Sequence, residues 1–145
     1  MSNQIIDLRS DTVTLPTPEM KAAMADAELG DDCYGDDPTV NCLEGLAAQT
    51  MGTEAAMLVP SGTMGNSCAL LAHTRLGDEV IVERHCHIYE WEAGAYANIA
   101  GVAVKTVEAE NGIIQPEQLD GIIRPTDNPH TPLSSLLCIE NTHNY

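Results

Sequence analysis

The segment Arg84–Glu92 (Arg84-His-Cys-His-Ile-Tyr-Glu-Trp-Glu92) concentrates the side chains that could do chemistry. It contains two histidines, a cysteine, two carboxylates and two aromatic rings. His85, Cys86 and His87 could ligate zinc, although a His-x-His pair supplies only some of the four ligands that zinc needs. An imidazole could instead stack on a flat aromatic ligand. The third interpretation is ordinary: His85 is a loop residue and Cys86 packs in the core.

The segment Pro60-Ser-Gly-Thr-Met-Gly-Asn66 follows a short apolar run and precedes a predicted helix. Small residues let backbone N–H groups approach a ligand, and a helix N-terminus favours an anion. Ser61 and Thr63 add hydroxyl donors. The spacing matches neither a P-loop nor a dinucleotide fingerprint. It therefore predicts either an anion-binding turn or a plain strand-to-helix turn with a Ser or Thr cap.

Two further histidines are candidates for proton transfer, because histidine titrates near neutral pH. His130 lies in Pro129-His-Thr-Pro132, before the last predicted strand. His143 lies in Glu140-Asn-Thr-His-Asn144, just after that strand. For both, a solvent-exposed side chain without a catalytic role is the ordinary alternative.

Short apolar runs alternate with amphipathic stretches, which predicts strands joined by helical crossovers and so an α/β fold. We expect a mostly parallel sheet with helices on both faces. The first two helices are predicted to begin at caps Thr17 and Thr39, and Gly52 is predicted to end the second. The predicted strands are 55–59, 79–83, 101–107 and 135–139; the predicted helices are 18–28, 40–51, 64–74, 87–96 and 116–123.

Ligands of such sheets bind beyond the carboxyl ends of the strands. Four segments are predicted to lie there: 60–66, 84–92, 108–112 and 140–145. The sequence therefore predicts that the chemically rich segments meet at one edge of the sheet.

Composition excludes several classes of partner. The 145 residues carry 22 acidic and six basic side chains, a formal net charge of −16. So few cations cannot neutralise the phosphates of a nucleic acid or bind an anionic membrane surface. Neither a membrane-spanning apolar run nor a signal peptide is apparent. Five cysteines without a Cys-x-x-Cys pattern predict free thiols and a cytoplasmic location.

The stretch Gly30-Asp-Asp-Cys-Tyr-Gly-Asp-Asp-Pro38 is strongly acidic, and its glycines and proline predict a loop. It is either a solvated acidic turn or a lid or interface loop that presents Tyr34.

Four motifs, in this order, resemble the low-specificity L-threonine aldolases: Ile6-Asp-Leu-Arg-Ser-Asp-Thr-Val-Thr14, the acidic loop 30–38, Pro60–Asn66 and Glu140–Asn144. The resemblance implies a fold-type-I enzyme dependent on pyridoxal 5′-phosphate. It implies that 1–52 form an N-terminal segment with an interface loop, and that 53–145 form the first part of the cofactor-binding large domain.

The resemblance also implies roles for particular residues. Ser61, Gly62 and Thr63 lie in the phosphate-binding turn. His87 matches the histidine that stacks on the pyridine ring, which makes it both a cofactor-binding and a catalytic residue. His130 matches a histidine that helps proton transfer at the substrate β-hydroxyl.

Two residues match contacts made in the family's homotetramers, whose sites lie at dimer interfaces. Ser10 matches a contact to the substrate carboxylate, and Tyr34 matches a loop residue that reaches the neighbouring subunit's site. The implied reaction cleaves threonine or allo-threonine to glycine and acetaldehyde.

One departure from the family concerns the cofactor's Schiff-base lysine, which lies well after the Glu-Asn-Thr-His-Asn motif. The aspartate that pairs with the pyridine nitrogen and the arginine that binds the substrate carboxylate also lie beyond that motif. Neither Lys21 nor Lys105 matches the family lysine, and the sequence ends at Tyr145. We therefore expect the first part of a longer subunit, truncated within the large domain and inactive as an aldolase by itself.

Other functions stay open at this stage. A pyridoxal-dependent lyase for another β-hydroxy amino acid, such as phenylserine, is compatible with the same motifs. A non-catalytic fragment or interface module is a second class, and a zinc protein is a third.

Overall fold

The structure is a computed structural model that describes residues 5–145. Two compact units divide the chain, one extending to Leu58 and the other running from Val59 to Tyr145. The division at residue 52 stays a prediction about the domains of the complete subunit. Among residues 5–145, no helix combines the length and apolar character needed to cross a membrane.

The first unit contains helices α1 (Pro18–Ala25) and α2 (Pro38–Met51). Short 3₁₀ turns cover Asp11–Val13 and Asp32–Tyr34. The Thr17 side chain accepts from the Met20 amide, which confirms the predicted cap of α1. This helix ends at Ala25, three residues before the predicted end.

The start of α2 corrects a prediction. Its cap is Asp37, whose carboxylate accepts from the amides of Thr39 and Val40, each at 2.9 Å. Thr39 is therefore inside the first turn, because Pro38 takes the first helical position, where its missing N–H costs nothing. Gly52 ends the helix in the left-handed conformation (φ 68°), as predicted.

Asp37 also closes the acidic loop. Its second carboxylate oxygen accepts from the Gly30 amide at 3.0 Å, so one buried side chain joins both ends of the loop. These backbone donors, chiefly Val40, lower the pKa of Asp37. A Cβ on Gly30 would lie 2.2 Å from the Asp36 carbonyl oxygen, so only glycine fits there. The loop is thus built by specific hydrogen bonds, and Tyr34 stands 81% exposed on it.

The second unit contains three strands and three helices, together with 3₁₀ turns at Glu110–Gly112 and Pro116–Leu119. The strands are β1 (Glu79–Glu83), β2 (Ala103–Val107) and β3 (Ser134–Cys138). The helices are α3 (Gly62–His73), α4 (His87–Glu90) and α5 (Ala95–Asn98).

The three strands form a parallel sheet in the order β2-β1-β3, which confirms the predicted α/β class. The central strand is buried along its whole length, so its apolar run packs on both faces. The core gathers side chains from α3, β1 and the segments that flank α4 and α5: Leu70, Val80, Val82, Cys86, Ala100 and Val102.

Besides α1 and α2, three predicted elements differ from the structure. Residues 55–59 form no strand, because they pair with no other strand of the described chain. The helix expected over 87–96 is two short helices, since Ala93 (φ 53°) and Gly94 (φ 71°) are left-handed and interrupt it. Only the first part of 116–123 is helical, and it is a 3₁₀ turn.

The amino end of the sheet contains an ion pair between a buried carboxylate, Glu79, and the partly exposed Arg124, whose side chain is 34% exposed. Glu79 is 3% exposed, and its carboxylate accepts from Arg124 at 2.9–3.0 Å and from the Ser134 hydroxyl at 3.1 Å. The Arg124 hydrogen bonds lower the pKa of Glu79. The pair joins β1 and β3 to the loop between β2 and β3.

We predict that Arg124→Met lowers the free energy of unfolding by about 2–3 kcal/mol, because it leaves the Glu79 carboxylate buried without its cation. The matched control is Arg84→Met, which removes an ion pair to Glu108 whose side chains are 54% and 77% exposed. That change should cost about 1 kcal/mol or less. Urea unfolding measures both, and equal losses would contradict the structural assignment.

Acid should weaken the same interaction. Because the folded pKa of Glu79 lies below its ordinary value, the stabilisation is present above that value and is lost as the pH falls through the folded pKa. We expect the stability difference between the wild type and Arg124→Met to shrink as the pH falls from 7 to about 3. A difference independent of pH would contradict this.

Candidate active site

The carboxyl edge of the sheet brings the four predicted segments together. Arg84 follows β1 and pairs with Glu108, which follows β2, at 2.7 Å. The segment Glu140–Tyr145 follows β3 and contacts the residues after β1. Asn66 in the first turns of α3 contacts Glu92 in the loop after α4. The prediction that these segments share one edge is confirmed.

His87 occupies the centre of these contacts as the first residue of α4. Its backbone N–H donates to the Glu140 carboxylate. Its ring Nδ1 lies 3.3 Å from the Asn144 side-chain nitrogen, and its ring Nε2 lies 3.7 Å from a Glu92 oxygen. The side chain is 47% exposed, so both nitrogens face protein groups while part of the ring stays accessible to a flat ligand.

Glu92 contributes a buried carboxylate to the site. Its side chain is 2% exposed and accepts from the Asn66 amide group at 2.7 Å. Asn66 lies one helical turn after Gly62 and Thr63. The start of α3 is therefore joined to His87 through two side chains.

A second buried carboxylate, Glu83, anchors the segment after β3. His143 Nε2 lies 2.9 Å from Glu83, and these side chains are 7% and 6% exposed. Glu83 also accepts from the His85 amide at 2.6 Å. A Cβ on Gly112 would lie 2.2 Å from the His143 ring, so glycine there makes room for the imidazole. The interpretation of His143 as a solvent-exposed side chain is therefore wrong.

The turn before α3 contains backbone N–H groups that make no hydrogen bond within the described residues. Ser61 caps the helix: its hydroxyl accepts from the Met64 amide at 3.2 Å and its carbonyl from Gly65 at 3.1 Å. Within the described part of the chain, no acceptor faces the amides of Gly62 and Thr63. Nothing lies within 4 Å of a Cβ placed on Gly62. The Ser61 cap is present, and two main-chain donors remain free for an anion.

The side chains of His85, Cys86 and His87 do not converge on a common zinc site. His85 Nδ1 lies 3.0 Å from Glu90, and both side chains are at the surface. Cys86 is 3% exposed in the core, and burial raises the pKa of its thiol to about 11. Across residues 5–145, no three His, Cys, Asp or Glu side chains group as metal ligands.

Three predicted site residues are not among the contacts of this cluster, and only His130 belongs to the same unit. His130 is exposed in the loop that enters the amino end of β3, whereas His87 follows the carboxyl end of β1. Ser10 and Tyr34 belong to the first unit, where Ser10 caps the 3₁₀ turn Asp11–Val13. Their roles stay predictions.

Sequence reasoning assigned no role to five residues that build this site, four of which lie in segments already singled out. Asn66, Glu140 and Asn144 lie inside the motifs singled out above, and Glu92 ends the histidine segment. A usable signal existed for Glu83, the last residue of the buried strand β1, whose three central residues are apolar. Each of them has at least one partner from a distant part of the chain.

Known proteins resemble this chain along most of its length. A family model described as "Beta-eliminating lyase" matches residues 7–145. The chain is 47% identical over 141 residues to low-specificity L-threonine aldolase 1 of Arabidopsis thaliana, covering 95% of this chain and 39% of that protein. It is 45% identical over 141 residues to the low specificity L-threonine aldolase of Escherichia coli strain K12, covering 97% and 42%.

A third relative is the uncharacterized protein R102.4 of Caenorhabditis elegans, 51% identical over 141 residues that cover 97% of this chain and 34% of that protein. The chain thus spans between 34% and 42% of the length of these three relatives.

The position of Cys86 predicts selective thiol chemistry. With a pKa of about 11, only about 0.1% of this thiol is ionised at pH 8, and the core shields it. We expect iodoacetamide at pH 8 to modify the exposed Cys33 and Cys42 well before Cys86, measured by peptide mass spectrometry. Urea should abolish the difference. Equal rates in the folded chain would contradict the burial of Cys86.

Proposed function

The chain belongs to the β-eliminating lyase family, and on that premise we propose that it forms part of the pyridoxal phosphate site of a low-specificity L-threonine aldolase. The observation that carries the proposal is one arrangement. Free main-chain amides at the start of α3 are joined through Asn66 and Glu92 to a half-exposed His87.

The donor set of the turn fits a phosphate. Gly62 and Thr63 offer free amides, and Thr63 adds a hydroxyl group. The α3 N-terminus adds about half a positive charge, so an acidic protein can bind an anion without a lysine in the turn. The open space over Gly62 lets the ligand approach the backbone closely.

The ring of His87 fits a flat aromatic group. Its two nitrogens face Asn144 and Glu92, so the ring plane is set by the protein before any ligand arrives. Its accessible surface offers stacking area. Bound pyridoxal phosphate would supply an electron sink for cleavage of the Cα–Cβ bond of a β-hydroxy amino acid.

Other parts of the proposal rest on the resemblance. Ser10 would donate to the substrate carboxylate, and His130 would accept the proton of the β-hydroxyl. Tyr34, 81% exposed on an ordered loop, would contact the site of a neighbouring subunit in a homotetramer. The complete subunit would act on threonine or allo-threonine in the cytoplasm.

A proline at position 62 tests the phosphate turn. Gly62 is the first residue of α3 and Ser61 is extended (φ −155°, ψ 155°), so proline fits there and removes only the N–H. We expect Gly62→Pro to weaken binding of pyridoxal phosphate about 10- to 100-fold, the effect of one charge-assisted hydrogen bond. Equilibrium dialysis against the complete subunit measures this.

The matched control is Gly62→Ala, which keeps the N–H but, like proline, places a carbon in the space through which the ligand approaches. It should lose much less affinity than Gly62→Pro. Equal affinity of Gly62→Pro and the wild type would show that this amide does not bind the phosphate.

Two substitutions of His87 test the function itself. In the complete subunit, we expect cleavage of threonine to glycine and acetaldehyde, and retention of pyridoxal phosphate on dialysis. His87→Ala should lower cofactor affinity about tenfold, whereas His87→Phe keeps a stacking ring and should retain most of it. A complete subunit that neither binds the cofactor nor cleaves threonine would overturn the proposed function.

A further inference from the structure

Glu92 is a buried carboxylate with too few donors of its own. With 2% of its side chain exposed, it cannot be solvated by water. Within hydrogen-bond distance it has only the Asn66 amide group, among the described residues. A buried carboxylate is costly unless donors surround it. Within residues 5–145, the one basic side-chain nitrogen within 4 Å of Glu92 is His87 Nε2 at 3.7 Å, which would be the missing donor if it carries a proton.

The contact on the opposite side of the ring supports the tautomer with its hydrogen on Nε2. Asn144 presents its side-chain nitrogen to His87 Nδ1 at 3.3 Å, and an amide NH₂ can only donate. Nδ1 therefore accepts, which leaves the proton on Nε2, facing Glu92. The two contacts agree on one tautomer and one ring orientation.

We propose that Glu92 is a positioning residue for His87, and that Asn66 transmits the position of α3 to it. Asn66 follows Gly62 and Thr63 by one turn on the same helix. The linked side chains of Asn66, Glu92 and His87 therefore set the spacing between the phosphate-binding amides and the stacking ring. The orientation of His87 is inferred only from its contacts with Glu92 and Asn144. The effect of that orientation on cofactor binding rests on the proposed function.

The neighbouring pair His85–Glu90 provides a matched comparison. It also joins a histidine to a carboxylate five residues later, at 3.0 Å. Its side chains are 48% and 31% exposed, so water screens the interaction and competes for it. Glu90→Leu removes a carboxylate from the same helix without touching His87.

The first experiment needs no cofactor. In the 145-residue chain, with its five histidines, ring ¹³C relaxation should report the His87 ring as rigid. Glu92→Leu should clearly lower the order parameter of that ring, while Glu90→Leu leaves it unchanged. The ring signal that disappears in His87→Gln is thereby assigned to His87. A His87 ring that stays rigid in folded Glu92→Leu would overturn the positioning role.

The second experiment separates the ring from the phosphate. In the complete subunit, Glu92→Leu should bind pyridoxal phosphate about tenfold more weakly and inorganic phosphate unchanged. Glu92→Gln preserves the volume and the Asn66 hydrogen bond, so it should lose about threefold and serves if the leucine variant does not fold.

The two proposals fail differently. Unchanged affinity for pyridoxal phosphate in both Glu92 variants, with binding intact in the wild type, would overturn the positioning role alone. A wild type that binds neither ligand would overturn the proposed function, and the order parameter of His87 would still decide the role of Glu92.

Discussion

Buried carboxylates at the carboxyl edge of the sheet are the constraint on which the site depends. Glu83 and Glu92 are both almost inaccessible to water, and each must find donors within the protein. Glu83 finds His143 and the His85 amide, which brings the segment after β3 onto the end of β1. Glu92 finds Asn66 and faces His87. The cost of burying the charges thereby enforces specific contacts between segments that are far apart in the chain.

These contacts explain how a strongly acidic chain can offer an anion site. Charge density alone would repel a phosphate, and no lysine lies in the turn that precedes α3. Main-chain amides avoid the difficulty, because their dipoles are fixed by the helix and need no counter-ion. The acidic residues nearby are engaged in hydrogen bonds to His87, Asn66 and Asn144 rather than directed at the turn.

Prediction from the sequence succeeded where local chemistry decides the outcome. The caps at Thr17 and Gly52 and the parallel strands follow from residue type and short-range pattern. It failed where two local signals competed. At α2, proline and aspartate together moved the helix start ahead of Thr39. At Ala93 and Gly94, a left-handed pair interrupted a pattern that was otherwise helical.

By itself, the sequence determined the α/β class, the small-residue turn at 60–66 and the presence of a histidine at position 87, because strand pattern, turn chemistry and residue identity are local properties. Only the tertiary structure decided which groups surround that histidine. Asn66 and Glu92 are 26 residues apart, and Glu83 and His143 are 60 apart. No periodicity encodes such pairs, since they arise from the register of parallel strands and from the need of each buried charge for a donor.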